Sequence, residues 1–158
     1  IIAMAQSGHH QYEISNFAKK GKESMHNLVY WDNEHYYGFG AGASGYLDQK
    51  RYKNYGPIQH YMKPLKEQRL PIFETEEISR VNQIEEEMFL GLRKIEGVSL
   101  RRFEEKFNKK LTTVYQSVIA ELQQQQLAVL EEDYFRLTPK GLFIGNDVFE
   151  KFLLDKEE

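Results

Sequence analysis

The sequence predicts an α+β chain in two unlike parts, divided between residues 75 and 76. Three observations carry that reading. All five His, the only Trp and eight of the ten Tyr lie before position 62. From Val81 onward the apolar residues instead recur at helical spacing among dense charges. Between the two patterns stand Pro71 and the acidic run Glu74-Thr75-Glu76-Glu77, which interrupt both.

The first part, 1–75, is irregular. Gln11–Asn16 (QYEISN) alternates and is predicted as a strand, with Glu13 and Ser15 on one face. Gly38–Leu47 (GFGAGASGYL) is rich in Gly and Ala, which lets another group approach the backbone closely. Tyr46–Asp48 and Arg51–Asn54 form a predicted hairpin around Gln49-Lys50, and Pro57 opens an amphipathic helix to about Gln68. These pieces cannot cover their own faces, so partner strands are expected from outside them. Exposed edges and apolar faces also invite pairing with a second copy, so a homo-oligomer is expected.

The second part, 76–158, reads as a winged-helix-like module. Ile84, Met88, Leu92 and Ile95 share a helix face that ends at Gly97. Ser99 caps a second helix with Leu100, Phe103 and Phe107 inward. A third helix runs from Thr112 through Leu122, followed by strands at Leu127–Glu131 and Tyr134–Leu137. Thr138-Pro139 opens a last helix that buries Leu142, Phe149, Phe152 and Leu153.

Composition excludes several classes of function. The chain of 158 residues has no Cys, so it holds no disulfide, no thiolate zinc site and no iron–sulfur cluster of its own. The same absence fits a cytoplasmic protein. No apolar run is long enough to span a membrane. The net charge is −3, and residues 112–154 carry three basic against six acidic groups. A would-be recognition helix at Thr112–Gln126 has no Lys or Arg, so nucleic acid is not an expected partner.

The densest set of chemistry-bearing residues is His26-Asn27-Leu28-Val29-Tyr30-Trp31. A His beside an Asn, with two aromatics close behind, can offer a haem-iron ligand and a flat apolar surface. The competing reading is a His-Asn turn with Tyr and Trp packed on the core. The glycine run matches G-x-G-x-x-G as a string, but it lacks the βαβ setting that a dinucleotide site needs and the GxxxxGK[ST] of a phosphate loop. Backbone contact with a flat ligand and plain strand packing both remain open for Gly38, Gly40, Ala41, Gly42 and Ala43. The adjacent His9 and His10 point apart in a strand and are not read as a metal pair.

Tyr12–Leu47 contains HNxxYW at His26, Asn27, Tyr30 and Trp31, and with Glu85–Phe107 and LTPKG (Leu137–Gly141) it resembles the oxygen-independent coproporphyrinogen III oxidase-like family of radical S-adenosylmethionine proteins. The HNxxYW motif places the resemblance in that family's haem chaperone branch. The resemblance implies the last strands of an open (β/α) barrel followed by a helical, winged-helix-like C-terminal domain. It implies that His26, Asn27, Tyr30 and Trp31 bind haem or a porphyrin, and that Gly38, Gly40, Ala41, Gly42 and Ala43 line the cofactor pocket. Where many members have His, this chain has Ser44, so no second His role carries over there.

The family's 4Fe-4S cluster, with S-adenosyl-L-methionine, depends on a CxxxCxxC motif that this chain lacks. The resemblance therefore implies a C-terminal portion, inactive alone, whose partner is the N-terminal barrel of the same protein. For the whole protein it implies haem binding and transfer. The alternative is oxidative decarboxylation of coproporphyrinogen III to protoporphyrinogen IX.

Overall fold

The structure, a computed structural model, describes residues 2–154. In chain order the elements begin with α1 (Ile2–Gln6), β1 (His10–Gln11), β2 (Phe17–Ala18) and α2 (Met25–Trp31). There follow β3 (Ser44–Leu47), β4 (Lys50–Asn54), α3 (Ile58–Lys66), β5 (Ile72–Glu77) and α4 (Arg80–Gly91). Then come β6 (Val98–Ser99), α5 (Leu100–Phe107), α6 (Leu111–Val114), α7 (Gln116–Gln124), β7 (Ala128–Glu131), β8 (Tyr134–Leu137), α8 (Pro139–Phe143) and α9 (Gly145–Glu150). The class is mixed α and β, as expected, and every strand pair among the described residues is antiparallel. The chain divides into two compact units: residues up to Asn33 with those from Ile84 on, and Glu34–Gln83.

The first unit is built on one apolar core. Met88, Leu92, Phe103, Leu122, Phe135 and Phe152 are all fully buried in it, and each such side chain contributes about 1.5–3 kcal/mol of transfer free energy. Ser99 caps α5 as expected, its Oγ accepting from the Arg102 N–H at 3.2 Å. Thr138 caps α8, with Pro139 in its first turn and the Gly141 N–H donating to Thr138 Oγ1 at 3.1 Å. The expected hairpin forms, with Ala128 opposite Leu137 and Leu130 opposite Phe135. A third strand, β6, joins it on the far side of β8 to give the order β6-β8-β7.

Four expectations change here. The third helix is broken at Tyr115, whose ring is buried and whose hydroxyl donates to the Phe152 carbonyl at 3.1 Å. The last helix is broken in the same way at Ile144. Leu153 is exposed rather than buried. QYEISN is extended only in pieces: Gln11 pairs in β1, Glu13 forms an isolated antiparallel bridge with Lys94, and the Tyr12 N–H closes the turn onto the Asn16 carbonyl at 3.2 Å. The cause is local. The Glu13 carboxylate curls back to accept the Ser15 N–H at 2.9 Å, which competes with an extended ladder. Glu13 itself is fully buried.

The second unit is a three-stranded meander, β3-β4-β5, with α3 between its last two strands in sequence. The hairpin turns at Asp48-Gln49, one residue earlier than expected, and both residues have positive φ (47° and 64°). That is the backbone of a two-residue turn matched to the twist of antiparallel strands. The acidic run 74–77, read in the sequence as an interruption, is part of β5. Glu74, Glu76 and Glu77 stand opposite Lys53, Arg51 and Lys50, so opposite charges pair across the strands.

Candidate functional site

The HNxxYW residues occupy the short helix α2, in the first unit. Its start is fixed by Ser24, whose Oγ accepts the Asn27 N–H at 3.4 Å. Its end is held by charge. Asp32 pairs with Lys94 and, at 3.3 Å, with Arg102. Asn33, buried at φ 50°, donates from Nδ2 to Glu87 at 3.2 Å, and Lys106 donates to both Glu87 (2.7 Å) and the Asn33 carbonyl (3.0 Å). A helix of seven residues is marginal alone, so these contacts orient it.

The four motif residues do not converge on one point. His26 is exposed in the first turn, and its ring meets Tyr30 edge-on with centroids 4.9 Å apart. That pair follows the i, i+4 rule of helix neighbours. Asn27 turns elsewhere and donates to the Tyr12 hydroxyl at 3.3 Å. Trp31 packs under Arg93, whose guanidinium carbon lies 4.7 Å from the indole centroid. The structure thus joins His26 with Tyr30, and Trp31 with a residue that the sequence did not single out.

Two grooves flank the helix within this unit. One, of about 720 Å³, is lined by Trp31, Phe89, Leu90, Arg93, Asn146 and Phe149, among others. The other, of about 860 Å³, has Leu28, Tyr12, His10, Glu23, Lys94 and Arg136 in its wall. His10 Nε2 lies 2.8 Å from Glu23, while His9 turns to Ser7 Oγ at 2.9 Å, so the two adjacent His do diverge. The Glu23 carboxyl is held below the ordinary range, first by its own backbone N–H and further by that of Gly21 and by His10.

Gly38, Gly40, Ala41, Gly42 and Ala43 lie in the second unit, in the loop that leads into β3. Most of the loop's polar groups are used internally. The Gly38 N–H donates to the Tyr52 hydroxyl at 2.9 Å, and Asn54 Nδ2 donates to the carbonyls of Gly38 (3.1 Å) and Gly40 (3.0 Å). The Gly42 N–H donates to the Tyr55 carbonyl at 2.8 Å. Close packing explains two of the glycines: a Cβ at Gly38 would stand 2.3 Å from the Ser44 carbonyl oxygen, and one at Gly45 2.2 Å from the Tyr52 ring. Gly40 differs, since nothing lies within 4 Å of its Cβ position.

The HemN C-terminal domain family model matches residues 78–144. The chain is 50% identical over 152 residues to "Heme chaperone HemW" of Lactococcus lactis, covering 96% of this chain and 40% of that protein. It is equally 50% identical over 150 residues to "Heme chaperone HemW" of Bacillus subtilis, at 95% and 40% coverage. A solved structure, described as coproporphyrinogen III oxidase (HemN) from Escherichia coli, a radical SAM enzyme, superposes with a TM-score of 0.70 at 16% identity. It covers 97% of this chain and 39% of that one. The chain spans about 40% of the length of the curated relatives it matches. Along nearly all its length the chain is thus similar to one portion of HemW proteins, with half of its residues identical, and residues 78–144 match the HemN C-terminal domain.

Proposed function

We propose that this chain is the haem-handling portion of a protein that binds haem and passes it on. The observation that carries the reading is the exposed imidazole of His26 on α2, backed by the edge of Tyr30. An imidazole that is reachable yet oriented by an aromatic neighbour can ligate haem iron, and the Tyr30 ring adds flat apolar contact. Asn27 and Trp31 hold the helix in place through Tyr12 and Arg93. A 4Fe-4S cluster does not fit this chain, which has no Cys. The cluster and S-adenosyl-L-methionine would belong to the rest of a longer, cytoplasmic protein.

Within that protein, the first part of this chain would close an open barrel, and the second would be its winged-helix-like domain. Gly38, Gly40, Ala41, Gly42 and Ala43 would line the cofactor pocket. Their support is the open space beside Gly40. Exposed Phe39, Ile58, Leu70 and Phe73 of the second unit would be covered by the barrel or by a second copy.

The test uses the full-length protein. Loaded with haem, it should hand haem to a haem-free acceptor globin. With its cluster reconstituted, it should form no protoporphyrinogen IX from coproporphyrinogen III under conditions where a verified oxidase does. Product formation at an oxidase's rate would establish the enzyme reading instead.

A further inference from the structure

The turn that leads into α2 carries positive charge that its own chain leaves unanswered. Lys19, Lys20 and Lys22 are all exposed, and none of them makes an ion pair among the described residues. In the same unit, by contrast, Lys94, Lys106, Arg136 and Lys151 each face a carboxylate. The turn itself is fixed. The Lys22 N–H donates to the Lys19 carbonyl at 2.9 Å, and Gly21 has φ 75°. A turn of this kind needs a left-handed backbone at its third position, which glycine supplies. Glu23 is the one acid between Lys19 and His26, and it is engaged elsewhere. It accepts the Gly21 N–H at 3.2 Å and lies 2.8 Å from His10 Nε2. Three like charges are therefore gathered at one corner, where they repel each other, in a chain of net charge −3.

His26 stands four residues beyond Lys22, in the first turn of α2. That spacing keeps the two Cα atoms within about 14 Å. Helical side chains lean toward the N-terminus, so His26 leans toward the lysine turn, with Tyr30 behind it. We propose that the turn recognises the propionate carboxylates of the haem whose iron His26 holds. This rests on the haem reading above, to which it adds the residues that choose which edge of the ring faces the turn. Exposed ion pairs are individually weak and are screened by salt. That suits a carrier: a patch of three lysines attracts an anionic ligand and speeds its arrival, yet lets it leave.

The test titrates haem into the full-length protein and follows the Soret band. Lys19→Gln, Lys20→Gln and Lys22→Gln together should weaken haem binding about tenfold at low ionic strength. The difference should fade at about 1 M salt. At saturation the band should stand where it does in wild type, because the iron ligand is untouched. Arg at the same three positions should keep wild-type affinity. Haem dimethyl ester, which has no free carboxylate, should bind wild type and the Gln variant alike. Arg101→Gln, Lys109→Gln and Lys110→Gln together remove an exposed basic set elsewhere in the chain, and should leave haem affinity unchanged. A Lys19/Lys20/Lys22 Gln variant that binds haem as wild type does overturns the proposal. So does an equal loss with the ester, or an equal loss from the second set. Failure of the haem reading shows separately, as a Soret band that His26→Ala leaves unchanged.

Discussion

The guanidinium of Arg93 lies over the indole of Trp31, 4.7 Å from the ring centroid, with Nε buried and lacking an acceptor among the described residues. The two effects oppose each other. A cation–π contact of this kind stabilises by about 0.5–1 kcal/mol, whereas an unsatisfied buried N–H costs about 1–3 kcal/mol. The second is the larger. Arg93→Met, which keeps the packing and removes the donor, is expected to raise stability by about 1 kcal/mol in urea unfolding. A loss of that size would show that the guanidinium is satisfied as it stands.

Asn33 joins the helix α2 to the core through backbone geometry and a side-chain bond together. Its φ is 50°, and its Nδ2 donates to Glu87 at 3.2 Å. Asn33→Gly keeps the left-handed backbone and loses the bond, at an expected cost of about 1 kcal/mol. Asn33→Ala loses both, and should cost about 1–2 kcal/mol more. Equal losses in a thermal melt would mean that the backbone conformation carries no strain.

Gly97 joins α4 to β6 at φ 87°, where a Cβ would stand 2.3 Å from the Phe135 carbonyl oxygen. Both the conformation and the contact oppose a side chain, and the neighbour is backbone in the central strand. Gly97→Ala is expected to cost about 2–4 kcal/mol. Gly21 also has positive φ, but nothing lies within 4 Å of its Cβ position. Gly21→Ala should therefore cost only about 1 kcal/mol.

How legible these features were in the sequence depends on whether their cause is local. Ser99 and Thr138-Pro139 were readable because a cap is written in the residues beside it. The 128–137 hairpin was readable from alternation around an acidic turn. Strand β5 was not. A run of Glu reads as solvated until Lys50, Arg51 and Lys53 are placed opposite it, and that pairing is long-range. The breaks at Tyr115 and Ile144 escaped for the same reason, since Tyr115 turns to reach the Phe152 carbonyl. At the site, His26 and Tyr30 were legible as a motif. Arg93 was not, because nothing in the run Leu92-Arg93-Lys94 separates a solvated Arg from one stacked on Trp31.

Tyr115 makes stability fall at alkaline pH. Burial first, and the Glu85 carboxylate second, raise its pKa above the ordinary value of 10.0. The unfolded chain loses this proton more readily than the folded one. The contribution is therefore complete below about pH 10 and is lost as pH rises from there through the folded pKa. Tyr115→Phe should flatten the alkaline limb of a stability–pH curve. It should also cost about 1 kcal/mol at neutral pH, because the Phe152 carbonyl loses its donor. An unchanged alkaline limb would assign that sensitivity to another group.

The most direct test of the account is the Soret absorption of haem bound by the protein. Wild type should give a red-shifted Soret band. His26→Ala should lose that shift and bind haem at least tenfold more weakly, while Met25→Ala, at an exposed neighbour on the same helix, should keep both. A His26→Ala spectrum and affinity equal to those of wild type would contradict the assignment of His26 as the haem ligand.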